Sequence, residues 1–255
     1  MLNLEVVGQG ATTKIYRDGD TAIKLYLNTP SNVVEVEAAK QRFAYDNGLP
    51  VPKVHGVREL NDNAVALDME YVHCQTLIHQ RMDIEEINNA IQVMVKLQCE
   101  VHKVHASSFP KLTDRLVWKI KTSQHLDEPQ KSNLLSLIER LDDDSDNLCH
   151  GDCHPLNILY DGKKYWIIDW VDASAGNPLA DACRTYIIFR QNSTLLAEIY
   201  LRAFCKESNA KQEEVLAWQP VIAAARLNEN MDDKSRQWLL NLVLEWCNSR
   251  NVAAI

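Results

Sequence analysis

The chain has 255 residues, 46% of them hydrophobic and 24% charged, which is enough to bury a sizeable core as one domain or two lobes. Its formal charge of −8 disfavours nonspecific nucleic-acid binding and would help to concentrate cationic small molecules. Apolar runs are broken by charge well short of a bilayer span, the seven cysteines are odd in number and scattered, and Met1-Leu2-Asn3-Leu4-Glu5 has no basic n-region, so the expectation is a soluble cytoplasmic protein without a membrane or nucleic-acid partner. Composition leaves the oligomeric state open.

From the N-terminus, Leu4 to Val7, Lys14 to Tyr16 and Thr21 to Tyr26 read as short strands, joined by turns at Gly8-Gln9-Gly10 and Asp18-Gly19-Asp20. Gly8 and Gly10 would let backbone N–H groups approach phosphates, but Thr13 holds the third glycine position of G-x-G-x-x-G, so a plain turn is the competing reading. Lys24 lies inside Ala22-Ile23-Lys24-Leu25-Tyr26, and a charge within a strand either faces solvent or faces a phosphate site, as the lysine of V-A-I-K does. A helix is expected from Ser31 to Asn47, after Pro30 and ending near Gly48, with Glu37 as the ion-pair partner of Lys24 and Glu35 as the alternative. Ala64 to Met69 reads as a strand leading into Glu70-Tyr71-Val72, a hinge whose backbone could read an adenine edge.

From Asp83 the pattern becomes helical. Asp83 and Glu86 form a possible capping box, and Ile84, Ile87, Ile91, Met94, Val101 and Val104 recur at steps of three and four or their sums. His102 and His105, near the end of that helix, read as structural or exposed. A further helix is expected from Pro129 to Leu141, and Asp142 to Asp146 as a solvated loop.

The segment His150-Gly151-Asp152-Cys153-His154-Pro155-Leu156-Asn157 carries the most chemistry. Gly151 and Pro155 oppose a regular helix, so it reads as a loop on which side chains converge. Asn157 follows Asp152 by five positions, the step found in the kinase loop H-R-D-x-x-x-x-N. Asp152 can accept or orient the proton of an attacking hydroxyl, while the Asn157 amide and the Asp169 carboxylate are hard oxygen ligands of the kind Mg²⁺ takes beside nucleotide phosphates. Ile158-Leu159-Tyr160 and Tyr165-Trp166-Ile167-Ile168, with a turn at Asp161-Gly162, predict a hairpin that returns Asp169 towards Asn157. Singly, each acid is an ordinary cap or turn residue; together and in frame they describe a phosphoryl-transfer site.

Zinc is the rival for this segment, because Cys149, His150, Cys153 and His154 are all potential ligands. The H-E-x-x-H site needs a helix, which Gly151 and Pro155 oppose, and no second ligand pair appears at zinc-ribbon spacing. The two cysteines read better as small buried residues. Beyond Asp169 a turn at Gly176-Asn177-Pro178 precedes helices near 179 to 190, 193 to 205, 211 to 228 and 233 to 248, with Pro220 kinking or breaking the third.

The motif His150-Gly151-Asp152-Cys153-His154-Pro155-Leu156-Asn157 resembles the H-G-D-x-H-x-x-N loop of the aminoglycoside phosphotransferase and choline-kinase-like family, and Ile168-Asp169-Trp170 resembles its I-D-W segment. Gly48-Leu49-Pro50-Val51-Pro52 and Gly176-x-Pro178-x-x-Asp181 are similar to two further family segments. The resemblance implies an α+β, bilobal protein-kinase-like fold: a small β-rich nucleotide lobe with one helix at 1–72, and a larger, mainly helical catalytic and acceptor lobe at 73–255. It implies ATP or GTP as phosphate donor and Mg²⁺ as cofactor. Asp152 is then the catalytic base, Asn157 and Asp169 hold the metal, and Lys24, Glu37, Gly8, Gly10, Glu70 and Val72 serve the nucleotide. Gly151 replaces the Arg of H-R-D and no A-P-E follows, so the acceptor is expected to be a small hydroxyl compound rather than a protein. Arg226 and Glu229 are the candidate acceptor-pocket residues. Glu229, Asp232 and Asp233 hint at a cationic antibiotic, though an endogenous metabolite is equally compatible. The alternative function is a kinase-like module that binds nucleotide or metabolite without chemistry.

Overall fold

The computed structural model describes residues 5–9, 13–61, 63–78 and 82–253. By its internal contacts the chain forms two compact units, Met1–Met82 with Pro155–Asp172, and Asp83–His154 with Ala173–Ile255. The segment 155–172 belongs to the first unit because its hairpin pairs there, through β6.

The first unit is built on a five-stranded antiparallel sheet of order β1-β2-β3-β5-β4, formed by β1 (Glu5–Gln9), β2 (Thr13–Asp18), β3 (Thr21–Leu27), β4 (Val54–Asn61) and β5 (Ala64–Glu70). Helix α1 (Ser31–Asp46) lies between β3 and β4 in sequence; Val34 and Ala38 on its buried face pack with Ala22, Tyr26, Val65, Leu67 and Met69. Gly48, at φ 79°, ends that helix in a left-handed turn that glycine adopts at no Cβ cost, and its N–H donates to Tyr45 O. Strand β4 was not expected from sequence. Its register shifts at Val54/Gly56 and again at Glu59/Asn61, and these irregularities erase the two-residue alternation that would mark it. The expected turn at Gly8-Gln9 is also displaced: both residues continue β1, where Gly8 pairs with Ile15 across another register shift. Gly10 lies outside the described residues.

A second sheet of the first unit joins β6 (Gln75–Thr76), β8 (Ile158–Tyr160) and β9 (Tyr165–Ile167). The β8–β9 turn is held by Asp161, whose carboxylate accepts from the N–H of Lys163 and Lys164 and from Trp166 Nε1, each at 2.8 Å. This is an Asx-type turn, in which a short side-chain acid replaces backbone acceptors.

The second unit is mainly helical: α2 (Ile84–Val101), α3 (Leu112–Lys121), α4 (Glu128–Leu141), α5 (Pro178–Asn192), α6 (Thr194–Ser208), α7 (Gln212–Leu216), α8 (Gln219–Arg226) and α9 (Asp233–Ala253). The Asp83/Glu86 capping box opens α2, and Asp127 with Gln130 does the same for α4. Ile91, Met94, Val95 and Val101 form the buried stripe of α2, whereas Ile84, in its first turn, is exposed. The helical stretch from 211 to 228, expected to kink or break at Pro220, breaks between α7 and α8, with Pro220 in the first turn of the latter, where its missing N–H costs nothing. A short antiparallel pair, β7 (Asn147–Cys149) with β10 (Ser174–Gly176), fixes the chain on the N-terminal side of His150. No helix among the described residues is long and apolar enough to cross a membrane.

Candidate active site

In the first unit the chemistry gathers on Lys24. Its position in the central strand β3 leaves it only 8% exposed, and its ammonium donates to Glu37 at 2.8 Å and to Asp169 at 3.0 Å. Glu37 comes from α1 and is itself held by the Tyr26 hydroxyl; Glu35 instead lies near Arg42 at 3.6 Å. Burial would lower the Lys24 pKa, but the charges of Glu37 and Asp169 outweigh it and hold the ammonium well above the ordinary lysine range. The Tyr26 hydroxyl is pushed up as well, by burial and by the Glu37 carboxylate, with Lys24 opposing.

Asp169 follows β9 at φ 66°, a left-handed conformation that aspartate tolerates better than most residues. Two anchors hold it there: Trp170 is fully buried and donates to Ile167 O, and Lys40 Nζ donates to Val171 O at 2.6 Å. The hairpin brings Asn157 to the same end, since the Ile168 N–H donates to Asn157 O at 3.0 Å. One Asp169 oxygen rests on Lys24 while the side chain remains 41% exposed. An amide oxygen and a partly exposed carboxylate at one hairpin end form a donor set that suits Mg²⁺, which binds a few hard protein oxygens and completes its shell with phosphate and water. At the end of β5 and just after it, the Glu70 N–H donates to Lys53 O and the Tyr71 N–H to Asp20 O, both at 2.8 Å, and Val72 is buried.

The second unit carries Asp152. Gly151, at φ 81°, makes the turn before it, and helix α5 secures that turn with three side chains on one face. Asp181 accepts from the Gly151 N–H at 2.7 Å, Arg184 Nε donates to Gly151 O, and Thr185 Oγ1 donates to Cys153 O at 2.9 Å. Asp181 is fully buried and is itself held by His102 at 2.9 Å and Gln98 at 3.1 Å, while Tyr200 donates to Gln98 at 2.7 Å. His102 is therefore a structural residue, and His105 is an exposed partner of Asp146. Cys149 and Cys153 are buried thiols whose pKa burial pushes well up.

The Asp152 carboxylate lies 3.2 Å from His154 Nε2 and 3.5 Å from Arg184 Nη2. Burial would raise its pKa, but the hydrogen bond from His154 and the Arg184 charge carry it well below the usual carboxylate range. Arg184 Nη1 continues to Glu229 at 2.6 Å, and Glu229 also binds Arg226 Nε at 2.9 Å and Lys119 at 3.2 Å. The expected pair Arg226 and Glu229 is thus joined to Asp152 through Arg184. Asp232 and Asp233 are not part of this cluster: Asp232 accepts from the Ser235 N–H at the start of α9, and Asp233 lies in the first turn of that helix. Sequence reasoning passed over Arg184 and Lys119. The signal for Arg184 was its step of three from Asp181 on a helix, which puts both on one face; Lys119 lies on α3, an element that was itself missed.

A family model described as APH, phosphotransferase enzyme family, matches residues 4–218. The chain belongs to that family. A search of curated proteins found no match. Among solved structures, a thermostable mutant of aminoglycoside phosphotransferase APH(4)-Ia, in ternary complex with ADP and hygromycin B, superposes with a TM-score of 0.70 at 16% identity, covering 97% of this chain and 94% of the other. A choline/ethanolamine kinase family protein from Mesorhizobium loti gives 0.64 at 18% identity over 96% and 87%. Choline kinase LicA from Streptococcus pneumoniae gives 0.65 at 15% identity over 96% and 94%. At these identities the likeness is one of fold. It establishes the kinase-like architecture, an antiparallel sheet in the N-terminal part and helices in the C-terminal part, for this member of the phosphotransferase family.

Proposed function

We propose that this protein transfers the γ-phosphoryl group of ATP or GTP, as its Mg²⁺ complex, to a hydroxyl of a small molecule. The observation that carries this reading is the buried Lys24 ammonium between Glu37 and Asp169, the latter 145 residues away in sequence. A buried cation tied to two acids is costly, and it serves a purpose where polyphosphate must be held. Lys24 contacts the nucleotide phosphates with Glu37 orienting it, Gly8 and Gly10 cover them, and the Glu70 C=O and Val72 N–H read the base, since the Glu70 N–H is engaged with Lys53. Asn157 and Asp169 would hold Mg²⁺, which would supply positive charge beside the transferring phosphoryl group. Asp152 orients the acceptor hydroxyl and takes its proton as the oxygen bonds to the γ-phosphorus and the nucleoside diphosphate leaves. Its low pKa keeps it ionised and able to accept that hydrogen bond throughout the neutral range.

The phosphotransferase reading is tested by Asp152→Asn, which keeps size and hydrogen-bonding capacity but cannot take the proton. ADP release in the presence of acceptor should fall by about 100-fold or more, with nucleotide affinity by titration within about twofold of wild type. Undiminished turnover in this variant would refute the assignment of the base.

A further inference from the structure

In a chain whose formal charge is −8, the small pocket next to the Asp152 loop is lined by Arg115, Lys119, Arg184 and Arg226, with Asp181. Lys119 from the last turn of α3, Arg184 from α5 and Arg226 from the last turn of α8 converge on Glu229 at 3.2, 2.6 and 2.9 Å. Arg184 also reaches Asp152 at 3.5 Å, so the cluster adjoins the loop that carries the proposed base. Three cations thus meet at Glu229 and one of them also reaches Asp152, while Arg115 joins them in lining the same small pocket. Asp181 lines it too, but directs its oxygens to Gly151, His102 and Gln98.

One guanidinium donor in this cluster is unmet: Arg226 Nε is bonded to Glu229, while its Nη1 is buried with no hydrogen-bond partner among the described residues. Buried unsatisfied donors are rare, and this one marks a place where an acceptor from outside the chain can be received. Glu229 lies between α8 and α9, in the position of an anion surrounded by cations.

We propose that the acceptor bears an oxyanion, a carboxylate or a phosphate, which Arg226, Lys119 and Arg184 receive beside the hydroxyl presented to Asp152. The inference rests on the phosphotransferase reading and narrows its substrate class. An acceptor rich in ammonium groups would set like charges against these side chains, with Glu229, Asp152 and Asp181 to offset them. Glu229 competes with the acceptor's anion for the same donors, and this gives the proposal a distinctive sign. Neutralising Glu229 should improve the use of an anionic acceptor, whereas a purely structural Glu229 would give the opposite.

The test uses the full chain with Mg-ATP and matched acceptor sets: glycerol, aminopropanediol, glycerate and glycerol phosphate, then glucose, glucosamine, gluconate and glucose phosphate. ADP release and thermal stabilisation are read in parallel. The carboxylate or phosphate member of a set should exceed its neutral and amine counterparts in kcat/KM, or in the concentration needed to stabilise, by about 10-fold. Which of the two responds identifies the oxyanion. Lys119→Gln should raise KM for that acceptor about 10-fold with kcat nearly unchanged, and Glu229→Gln should lower KM. Preference for the neutral or amine member overturns the proposal, as does the absence of any response in either readout. Slow Mg-ATP hydrolysis by water, lost in Asp152→Asn, separates the two levels: hydrolysis without an oxyanion response sinks this inference alone, and the absence of both hydrolysis and transfer sinks the phosphotransferase reading.

Discussion

Lys24 shows how much of a side chain's energy lies in its partners. Its ammonium is buried with Glu37, which is 5% exposed, so removing one charge leaves the other without its counter-ion in a low-dielectric site. Asp169 is far more exposed and loses less. Lys24→Met should therefore destabilise the protein by about 3–5 kcal/mol in urea titration, while the double variant Lys24→Met/Glu37→Leu recovers most of that loss because no buried orphan charge remains. Both variants should lose nucleotide affinity by titration, the property the double substitution cannot restore. Equal stability of the single and double variants would show that Lys24 and Glu37 are not coupled. The pair was legible in the sequence because a lysine between apolar strand residues needs a partner and the helix at 31–47 offered two. Geometry chose Glu37, which α1 buries; Glu35 lies on the outer side, near Arg42.

At the scale of elements, the loop carrying Asp152 is held from two directions, by α5 through Asp181, Arg184 and Thr185, and by the β7–β10 pair that precedes it. Gly176 in β10 allows α3 to pack closely: a Cβ there would meet Leu112 Cβ at 2.5 Å and Leu112 Cδ2 at 3.2 Å. Gly176→Ala should cost about 1–3 kcal/mol in urea titration, because Leu112 is buried and has little room to retreat. Gly56→Ala, where nothing lies within 4 Å, is the matched control. Since β10 pairs directly with the strand ending at Cys149, kcat should fall in Gly176→Ala before nucleotide affinity does; a variant as stable and active as the control would contradict this. These two short strands, α3 and β4 were not legible in the sequence. Strands of three residues are too short for alternation to register, β4 is interrupted by register shifts, and α3 has no side-chain N-cap to announce it. What could be read were the elements with strong local signals: the capping box of α2, the β8–β9 hairpin with its Asp161 turn, and Pro220 at the break before α8. The acids of the candidate site were legible by spacing. Their cationic partners Arg184 and Lys119 were not, because surface and buried cations look alike in one dimension.

For the molecule as a whole, buried carboxylates in the second unit contribute to its response to acid. Asp181 is fully buried, and burial would raise its pKa; the hydrogen bond and charge of His102 and the Gln98 amide bring it instead to about 2, below its ordinary 3.8. Glu229, which burial would likewise raise, is brought from 4.5 to about 2 by Arg184, Arg226 and Lys119. A carboxylate with a depressed pKa in the folded state binds protons more weakly there than in the unfolded chain. Its contribution is therefore fully present above the unfolded value and is lost as pH falls through the folded one. For Asp181 that contribution is about 2 kcal/mol at neutral pH, lost as pH falls from 3.8 to about 2. Asp181→Asn keeps an acceptor for the Gly151 N–H but removes the charge that faces His102. Urea titrations across this range should show lower stability at neutral pH for the variant and a shallower fall towards pH 2, so that the two curves converge in acid. Parallel curves would mean that the Asp181 charge contributes nothing to folding and that the loop carrying Asp152 is held by its hydrogen bonds alone.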